Sequence, residues 1–360
     1  MFLPYFLDEF GFSIQNAGFV ASGLQAGYLV ALTAVGLVVA RAGPRPMVIV
    51  GMLAAGLGMA LVAAAPALVW LAAGIVLAGT SAGWSWAPYN DAVHGVVSPR
   101  LEDRILSVIS TGTTFGVLGA GLTDLAFGGS WRLAWFAFAV AAALAAVANV
   151  LVLPARSRVS GASGNDDMPG IGYFARLEAA PVFVVASSFG AVSAFYWAFA
   201  VDFISGVSEL PFDIGPVFYV VVGVVGFTGV LTGDMVVRVG LVPTLLAILA
   251  CLVAACVLLR VAPGEIVAAG VSAALYGVGV MAMSSLLALW SSLIFPEQPS
   301  RGFSVTLFLF GVGCVAGPAA LGALGGRFGL AAAFLVAAGI MTLTAGVVLF
   351  PGQGRTGASG

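Results

Sequence analysis

Runs of about 20 apolar residues, the length that crosses a bilayer, recur along nearly the whole chain between short polar, Gly or Pro breaks. A helix rises about 1.5 Å per residue, so each run can cross a hydrocarbon layer of about 30 Å. Backbone groups in lipid must be satisfied within the segment, so these runs predict helices, whereas barrel strands would be about half as long and would alternate. Eleven spans are predicted, at residues 17–40, 46–65, 67–97, 105–127, 132–153, 181–204, 215–237, 242–261, 264–294, 302–324 and 329–350.

The composition agrees with a lipid environment. Hydrophobic residues make up 61% of the 360 residues and charged residues 8%, which is more apolar surface than a water-soluble globule of this size can bury. All thirteen basic residues are Arg and the net charge is −2, so there is no basic footprint for nucleic acid. The three cysteines lie in apolar segments, where we expect them to pack rather than to bind a metal or form a disulfide.

An internal repeat appears when the chain is shifted along itself by 197 positions, without a gap. The matches involve residue types that are scarce here, among them Arg41 with Arg238, Gly43 with Gly240, Pro46 with Pro243, Arg104 with Arg301, and Gly116 with Gly313. The repeat predicts an N-terminal half at residues 1–154, a cytoplasmic linker at 155–180, a C-terminal half at 181–351 and a short cytoplasmic tail at 352–360.

The same register predicts where the first helix should begin. The first helix of the second half starts near Pro181, whose partner falls about sixteen residues before Met1 by the shift of 197. We therefore expect the chain to begin inside a transmembrane helix, with MFLPYFL as its remnant and about 11 complete spans, through a wrong start site or a natural truncation.

The distribution of Arg in the loops predicts the orientation. Ten Arg fall on one side when alternate loops are assigned to opposite sides, and three fall on the other. Short loops rich in basic residues stay in the cytoplasm, so we expect the linker and the C-terminus there, in the inner or plasma membrane. The three opposite residues are Arg132, Arg260 and Arg327.

The loop after the second span carries the best local motif. Gly36, Arg41, Gly43 and Arg45 lie there, and the second half repeats the pattern with Gly233, Arg238 and Gly240. This spacing resembles the loop motif of the major facilitator superfamily, in which two six-helix halves rock around a central cavity. The chain departs from the motif at its Asp position, which holds Ala40 and Val237, so a charge-relay gate and a plain structural corner both remain open.

Two further departures narrow the class within that family. Ile75 stands where multidrug proton antiporters of the superfamily carry an Arg, and Val117 replaces the Pro of their fifth-helix signature. The glycines followed by Trp131, Arg132 and Trp135 instead resemble the permease branches for small organic anions or metabolites, including the cyanate-permease-like and YbfB/YjiJ-like groups.

The strongest polar cluster inside a span is SAGWSWAPYNDAVHGV. Asn90 and His94 are four residues apart on one helix face, and Asp91 is within reach of His94. Ionisable groups within a span are costly and call for a reason. Two interpretations stay open: Asp91 and His94 exchange the coupling proton, or Asp91 closes a cytoplasmic clasp with Arg100 or Arg104.

Other site residues follow from position and from the resemblance. The family lines its cavity with the first, fourth, seventh and tenth helices, which implies lining roles for Trp84, Trp86, Tyr89, Tyr196, Trp197 and Tyr276. Trp70, Trp131 and Trp135 lie near span ends and are expected to anchor at the membrane interface. At the cytoplasmic mouth, the sequence predicts a salt bridge between Asp234 and Arg238, and Arg301 joins the gate and loop set as the repeat partner of Arg104.

The sequence argues against enzyme chemistry. It has one His, no nucleotide-binding Gly-Lys-Ser/Thr loop and no clustered metal ligands, so neither an enzyme nor a cofactor is predicted. Secondary active transport of a small solute, proton-coupled or facilitative, by a monomer in the bilayer is the predicted function. The alternative is a truncated, carrier-derived membrane sensor or assembly partner without transport activity.

Overall fold

The computed structural model describes residues 2–94, 112, 115–127, 130–153, 177–207, 213–296 and 299–349. Within these ranges every regular element is a helix. The chain divides into two compact units, Met1–Met168 and Pro169–Gly360. Each unit is described by itself below. The point of division falls inside the segment that the sequence predicts as a linker.

In its described residues, unit 1 contains a short helix followed by five apolar ones. Ser13 caps the second of them, because its side chain accepts a hydrogen bond of 3.2 Å from the Asn16 amide. The third starts at Pro44, where the missing N–H costs nothing in the first helical turn. The helices are α1 (Leu3–Phe10), α2 (Ile14–Ala42), α3 (Pro44–Ala63), α4 (Leu68–His94), α5 (Phe115–Phe127) and α6 (Trp131–Val152).

The described part of unit 2 starts with a short 3-10 turn at Leu177–Ala179 and contains seven α-helices. Asp213 caps the second of these, accepting a 2.8 Å hydrogen bond from the Gly215 amide. The helices are α7 (Ala180–Val207), α8 (Ile214–Gly226), α9 (Thr232–Val239), α10 (Leu241–Val261), α11 (Ile266–Ile294), α12 (Pro299–Phe328) and α13 (Leu330–Leu349).

The predicted spans are confirmed as apolar helices. In the part of the chain that the structure describes, ten helices are long and apolar enough to cross a membrane. The predicted span 105–127 is described at Gly112 and from Phe115 to Phe127, and its other residues lie outside the described ranges. The predicted span 215–237 differs in detail, because a 3-10 segment, Phe227–Leu231, separates α8 from α9.

The outer faces of the helices are as apolar as their cores. In α6, for example, Leu144 is 65% exposed and Val152 is 80% exposed. A protein surrounded by water rarely presents contiguous apolar surface on this scale, whereas lipid tails solvate it at no cost. The exposure of these side chains therefore identifies the bilayer as the solvent.

Glycines let the helices of each unit approach closely. A Cβ atom on Gly83 of α4 would strike the Tyr28 carbonyl of α2, and one on Gly58 of α3 would strike the backbone of α4. In unit 2, Gly313 of α12 lies against the Ser187 carbonyl of α7 in the same way. Small residues at helix contacts are the usual means of packing in membranes, because the backbones themselves come into contact.

Two corners of the chain have the same backbone conformation. Gly43 joins α2 to α3 with φ +80° and ψ 167°, and Gly240 joins α9 to α10 with φ +95° and ψ 164°. This region of backbone space is essentially restricted to glycine. The two residues are 197 positions apart, which is the offset of the predicted repeat.

The short helix α1 has a counterpart at the end of α7. Shifted by 197, Leu3–Phe10 becomes residues 200–207, the last eight residues of α7. Phe2 and Phe6 pack against Trp135 of α6, and their counterparts Phe199 and Phe203 lie in the aromatic cluster around Phe195 and Phe334 of unit 2. Leu3–Phe10 therefore forms about two turns of helix, with aromatic neighbours like those of its repeat counterpart in α7.

Candidate functional site

Helix α4 carries most of the pathway residues predicted in unit 1. Trp84 is half-buried, Trp86 is 49% exposed, and the half-buried Tyr89 donates a 2.5 Å hydrogen bond from its hydroxyl to Oδ1 of Asn149 in α6. Asn90, Asp91 and His94 belong to the last turns of this helix, but their side chains lie outside the described residues. The predicted contact between Asp91 and His94 therefore stays a prediction.

A proline interrupts the hydrogen bonding of α4 just before these last turns. Pro88 lies inside the helix and has no N–H to donate to the Trp84 carbonyl one turn earlier. A proline within a helix also bends it, because the ring clashes with that carbonyl. The residues from Tyr89 to His94 are thus held to the rest of α4 by fewer backbone bonds than an uninterrupted helix would provide.

The end of α6 is held by polar contacts from two other helices. Asn149 donates a 2.7 Å hydrogen bond from Nδ2 to the Ala145 carbonyl of its own helix, which leaves Oδ1 free to accept from Tyr89. Arg45, at the start of α3, donates from Nη2 to the Val150 carbonyl at 2.5 Å. A cation at a helix C-terminus satisfies an orphan carbonyl and interacts favourably with the helix dipole.

A second arginine, Arg132, joins α3 and α6 at their opposite ends. Arg132 at the start of α6 donates 3.0 Å hydrogen bonds to the carbonyls of Ala63 and Ala65, where α3 ends. Its other terminal nitrogen contacts Oε1 of Glu9 at 2.5 Å, and Nε1 of Trp131 donates to Oε2 of the same carboxylate at 2.9 Å. These contacts attach α1 to α3 and α6.

The interface prediction for Trp131 is wrong. Its side chain is 5% exposed, lies edge-on to Phe6 with ring centroids 5.0 Å apart, and is stacked beneath the Arg132 guanidinium. Helix α1 covers this ring, which a membrane-interface position would have left accessible. Trp70, by contrast, is 53% exposed near the start of α4, as an anchor would be.

The predicted gate set is only partly described. Gly43 and Gly240 are the two glycine corners, and Arg45 is the residue that caps α6. Asp234 and Arg238 are exposed on α9, and the structure shows no ion pair between these two described side chains, so that prediction is wrong. An exposed pair gains little in water, which does not outweigh the entropy of fixing two long side chains.

The remaining gate residues divide by how much of each is described. Gly233 is exposed, and no atom lies within 4 Å of a Cβ built on it in the described part of the chain. Gly36, Arg41 and Arg301 lie in described helices, but their side chains are outside the described set, and Arg100 and Arg104 are outside the described residues altogether.

In unit 2, two of the predicted lining residues form a buried stacked pair. Tyr196 of α7 and Tyr276 of α11 are each 1% exposed, with ring centroids 3.9 Å apart and planes inclined by 13°. Tyr276 donates to the Ser193 carbonyl at 3.0 Å, and the Ser193 hydroxyl lies 2.8 Å from the Tyr276 oxygen. The Tyr276 hydroxyl is therefore satisfied by Ser193 of α7.

The partner of Tyr196 can be assigned from the hydrogen-bond count. Ser272 donates its single proton to the Ala255 carbonyl of α10 at 2.7 Å. The 2.6 Å contact between Ser272 Oγ and the Tyr196 hydroxyl must therefore have Tyr196 as the donor. The network joins α7, α10 and α11 through buried polar groups, which are costly unless paired.

Trp197 lies at the edge of this network. Its ring stacks on Tyr219 of α8 with centroids 5.3 Å apart, and Tyr276 approaches it edge-on at 5.4 Å. The Tyr219 hydroxyl donates to the Trp197 carbonyl at 2.9 Å. Of the three lining residues predicted in unit 2, Trp197 is the one that remains partly exposed, so it is the one able to contact a solute without a rearrangement.

Sequence reasoning missed several residues that the structure brings into these networks. Asn149 carried a signal, since it is the only carboxamide in α6, and a polar group in an apolar span calls for a partner. Ser193 and Ser272 carried none, because isolated serines are common in membrane helices and bond to their own backbone. Glu9 carried no signal either, because its partner Arg132 is 123 residues away in the sequence.

Taken together, the described residues offer stacking rings and hydroxyls rather than reactive groups. Among them, no group of three His, Cys, Asp or Glu side chains is placed to hold a metal ion. The chemistry available is therefore noncovalent recognition, with protonatable groups at the end of α4.

Comparisons with known proteins agree with these observations. A sequence profile described as Major Facilitator Superfamily matches residues 1–318. A mutant of the nucleoside transporter NupG has a similar structure, with a TM-score of 0.81 at 13% identity over 96% of this chain and 92% of that chain. Unmutated NupG gives a TM-score of 0.75 at 14% identity, with the same coverage.

A second kind of transporter shares the fold. A bacterial homologue of the human lysosomal transporter Spinster, in an inward-facing and unoccupied conformation, has a TM-score of 0.72 at 15% identity over 96% of this chain and 91% of that chain. A comparison with curated protein sequences finds no match. Sequence identities this low establish that the fold is shared, but they do not identify the substrate of this chain. The profile covers most of the chain, and so the chain belongs to the Major Facilitator Superfamily, as a multi-pass membrane protein that transports a small solute and is not an enzyme.

Proposed function

We propose that the protein is a carrier that moves its solute by alternating access, either by secondary active transport coupled to a proton gradient or facilitatively, down the gradient of the solute itself. The observation that carries the proton part is the position of Asp91 and His94. Both fall in the last turns of α4, directly after Pro88 and beside the Tyr89 contact with α6. Ionisable groups in a membrane helix cost about 2.5–3.5 kcal/mol on insertion scales, so their presence there calls for a function.

The competing role for Asp91 is a clasp. In that case the carboxylate would pair with Arg100 or Arg104 and hold the cytoplasmic mouth closed, without exchanging a proton with the solution. The two roles differ in what a neutral side chain does. Removing a proton carrier abolishes the response to a proton gradient, whereas removing a clasp changes the rate of opening but leaves that response.

The proposed setting is the cytoplasmic membrane, with the protein acting as a monomer. Loops rich in Arg support an orientation in which the start of α3 and the end of α6 face the cytoplasm. The solute class stays open between small organic anions and other metabolites. Nucleosides join the candidates because a nucleoside transporter has a similar fold.

The test begins with thermal stabilisation of the purified protein by a panel of small organic anions, other metabolites and nucleosides. A solute that stabilises the protein is then followed into proteoliposomes, with and without an inward proton gradient. We expect the gradient to raise uptake by the unchanged protein, and Asp91→Asn to lose that response while still exchanging solute without a gradient. Glu265→Gln, at an exposed carboxylate before α11, is the matched control.

Two results would count against this proposal. Full gradient-driven uptake by Asp91→Asn would assign Asp91 to the clasp. Solute binding without any uptake by the unchanged protein would favour the sensor or assembly role over transport.

A further inference from the structure

We infer that Asn149 is a positioning residue, which acts through Tyr89 to hold the last turns of α4 in place. Helices α4 and α6 each pack along α3, and the Tyr89–Asn149 hydrogen bond of 2.5 Å joins the two across that shared neighbour. The inference rests on the proposed function, because the turns held in this way carry Asp91 and His94.

The geometry of the Asn149 side chain suits it to hold Tyr89 by a directed hydrogen bond. Its Nδ2 is bonded to the Ala145 carbonyl at 2.7 Å, which fixes the orientation of the side-chain amide and directs Oδ1 to its partner. A carboxamide in a lipid-surrounded helix needs such partners, because nothing in the hydrocarbon supplies them. The Asn149 Oδ1 acceptor is thus oriented by a contact within its own helix, independently of Tyr89.

The helix end that Asn149 belongs to is itself fixed. Arg45 donates to the Val150 carbonyl, so the end of α6 is attached to the start of α3. A hydrogen bond from Tyr89 to the end of α6 therefore fixes the position of the last turns of α4 relative to both α3 and α6. The turns that are held need such a contact, since Pro88 has removed one backbone bond just before them.

The other half of the molecule shows that the fold does not require this contact. The offset of 197 places Leu286 opposite Tyr89, Gly346 opposite Asn149 and Val242 opposite Arg45. Helices α10, α11 and α13 of unit 2 therefore form without it. The contact occurs in the unit that carries the Asp91 and His94 pair, which is why we assign it to function rather than to architecture.

Amide hydrogen exchange of the full-length protein in lipid nanodiscs tests the inference, with Tyr89→Phe and Asn149→Leu as the variants. Each should raise the exchange rate of the Tyr89–His94 amides by about threefold to twentyfold, the range expected for losing one interhelical hydrogen bond in a membrane protein. The double variant should exchange no faster than the faster single variant, because both remove the same bond. Asn149→Gln, which keeps the amide, should restore at least part of the protection.

Ser85→Ala is the matched control. It removes a hydroxyl from α4 just before Pro88, but that hydroxyl bonds only to the Ser81 carbonyl of its own helix at 2.7 Å. We expect exchange of Tyr89–His94 to stay within about twofold of the unchanged protein, since bonds of a hydroxyl back to its own helix add little stability.

Three results would overturn the inference. They are Tyr89–His94 amides that already exchange at the unprotected rate in the unchanged protein, an equal rise in Ser85→Ala, or a rise spread over α2 and α3 as well. These results are separable from the uptake experiment. If Asp91→Asn keeps its proton-driven uptake while Asn149→Leu loosens the end of α4, the proton role proposed for Asp91 fails and the positioning role of Asn149 stands.

Discussion

The contact between α7 and α12 predicts a large difference between two glycines that the repeat makes equivalent. In unit 2, Cβ atoms on Gly190, Gly313 and Gly317 would each lie against a carbonyl of the facing helix, closer than real Cβ contacts occur. Gly313 faces the Ser187 carbonyl, and this is backbone that cannot turn aside. Gly313→Ala must therefore push the two helices apart.

The magnitude follows from two opposing terms. Overpacking a well-packed contact costs about 1–3 kcal/mol, and replacing Gly by Ala inside a helix returns about 0.5–1 kcal/mol. The net loss is about 0–2.5 kcal/mol, which lowers the melting temperature of a unit of this size by up to about 10 °C.

Two glycines serve as controls for the helix term. Gly116 of α5 is the repeat partner of Gly313, and Gly339 lies on α13 in the same unit as Gly313. A Cβ built on either has no atom within 4 Å among the described residues. Gly116→Ala and Gly339→Ala should therefore leave the melting temperature unchanged or raise it.

Scanning fluorimetry of the detergent-solubilised protein measures all three variants under the same conditions. The reasoning is refuted if Gly313→Ala melts at or above the temperature of the two controls. A broad loss of stability in all three variants would equally contradict it, because the controls add a methyl group where the described residues leave room.

Three further predictions concern other contacts. Arg132→Leu leaves the Glu9 carboxylate without its ion pair and the end of α3 without its hydrogen-bond donor. Hydrogen exchange of the Leu3–Phe10 amides should therefore rise at least about fivefold, as expected when hydrogen bonds worth about 1 kcal/mol each are lost. Unchanged exchange would mean that α1 is held by its aromatic contacts alone. Ser272→Ala should destabilise unit 2 by about 1–3 kcal/mol because it strands the buried Tyr196 hydroxyl, and adding Tyr196→Phe should recover part of that loss in melting experiments; additive losses would contradict the assigned bond. Gly240→Ala should cost about 1–3 kcal/mol, measured in the same way, because its φ of +95° is closed to other residues, and a neutral result would rule out that corner conformation.

The sequence predicts the helices well because hydropathy and length are local properties. Limits such as Leu241–Val261 and Trp131–Val152 differ from the predicted 242–261 and 132–153 by a single residue. The change to a 3-10 segment at Phe227–Leu231 is not predicted, because every residue of GFTGVL fits an α-helix equally well by hydropathy. In the structure Gly229 of this segment lies against Met281 of α11, a tertiary contact that hydropathy does not report.

The candidate site is less predictable, because periodicity does not say which neighbour a helix face meets. Tyr196 and Tyr276 were predicted as cavity-lining residues from the resemblance, and the structure places them in a buried stack inside unit 2. Whether they contact a solute in another conformation stays a prediction. Trp131 was misassigned for the same reason, since the ring that covers it belongs to α1, more than a hundred residues away in the sequence.

The two arginines that join α3 and α6 have a mechanical consequence. Arg45 ties the start of one helix to the end of the other, and Arg132 does the same at the far side. Two antiparallel rods fastened at both extremities resist sliding and shear, so they translate and tilt as a single strut. A displacement imposed at either membrane surface is then transmitted across the full thickness of the bilayer by this pair.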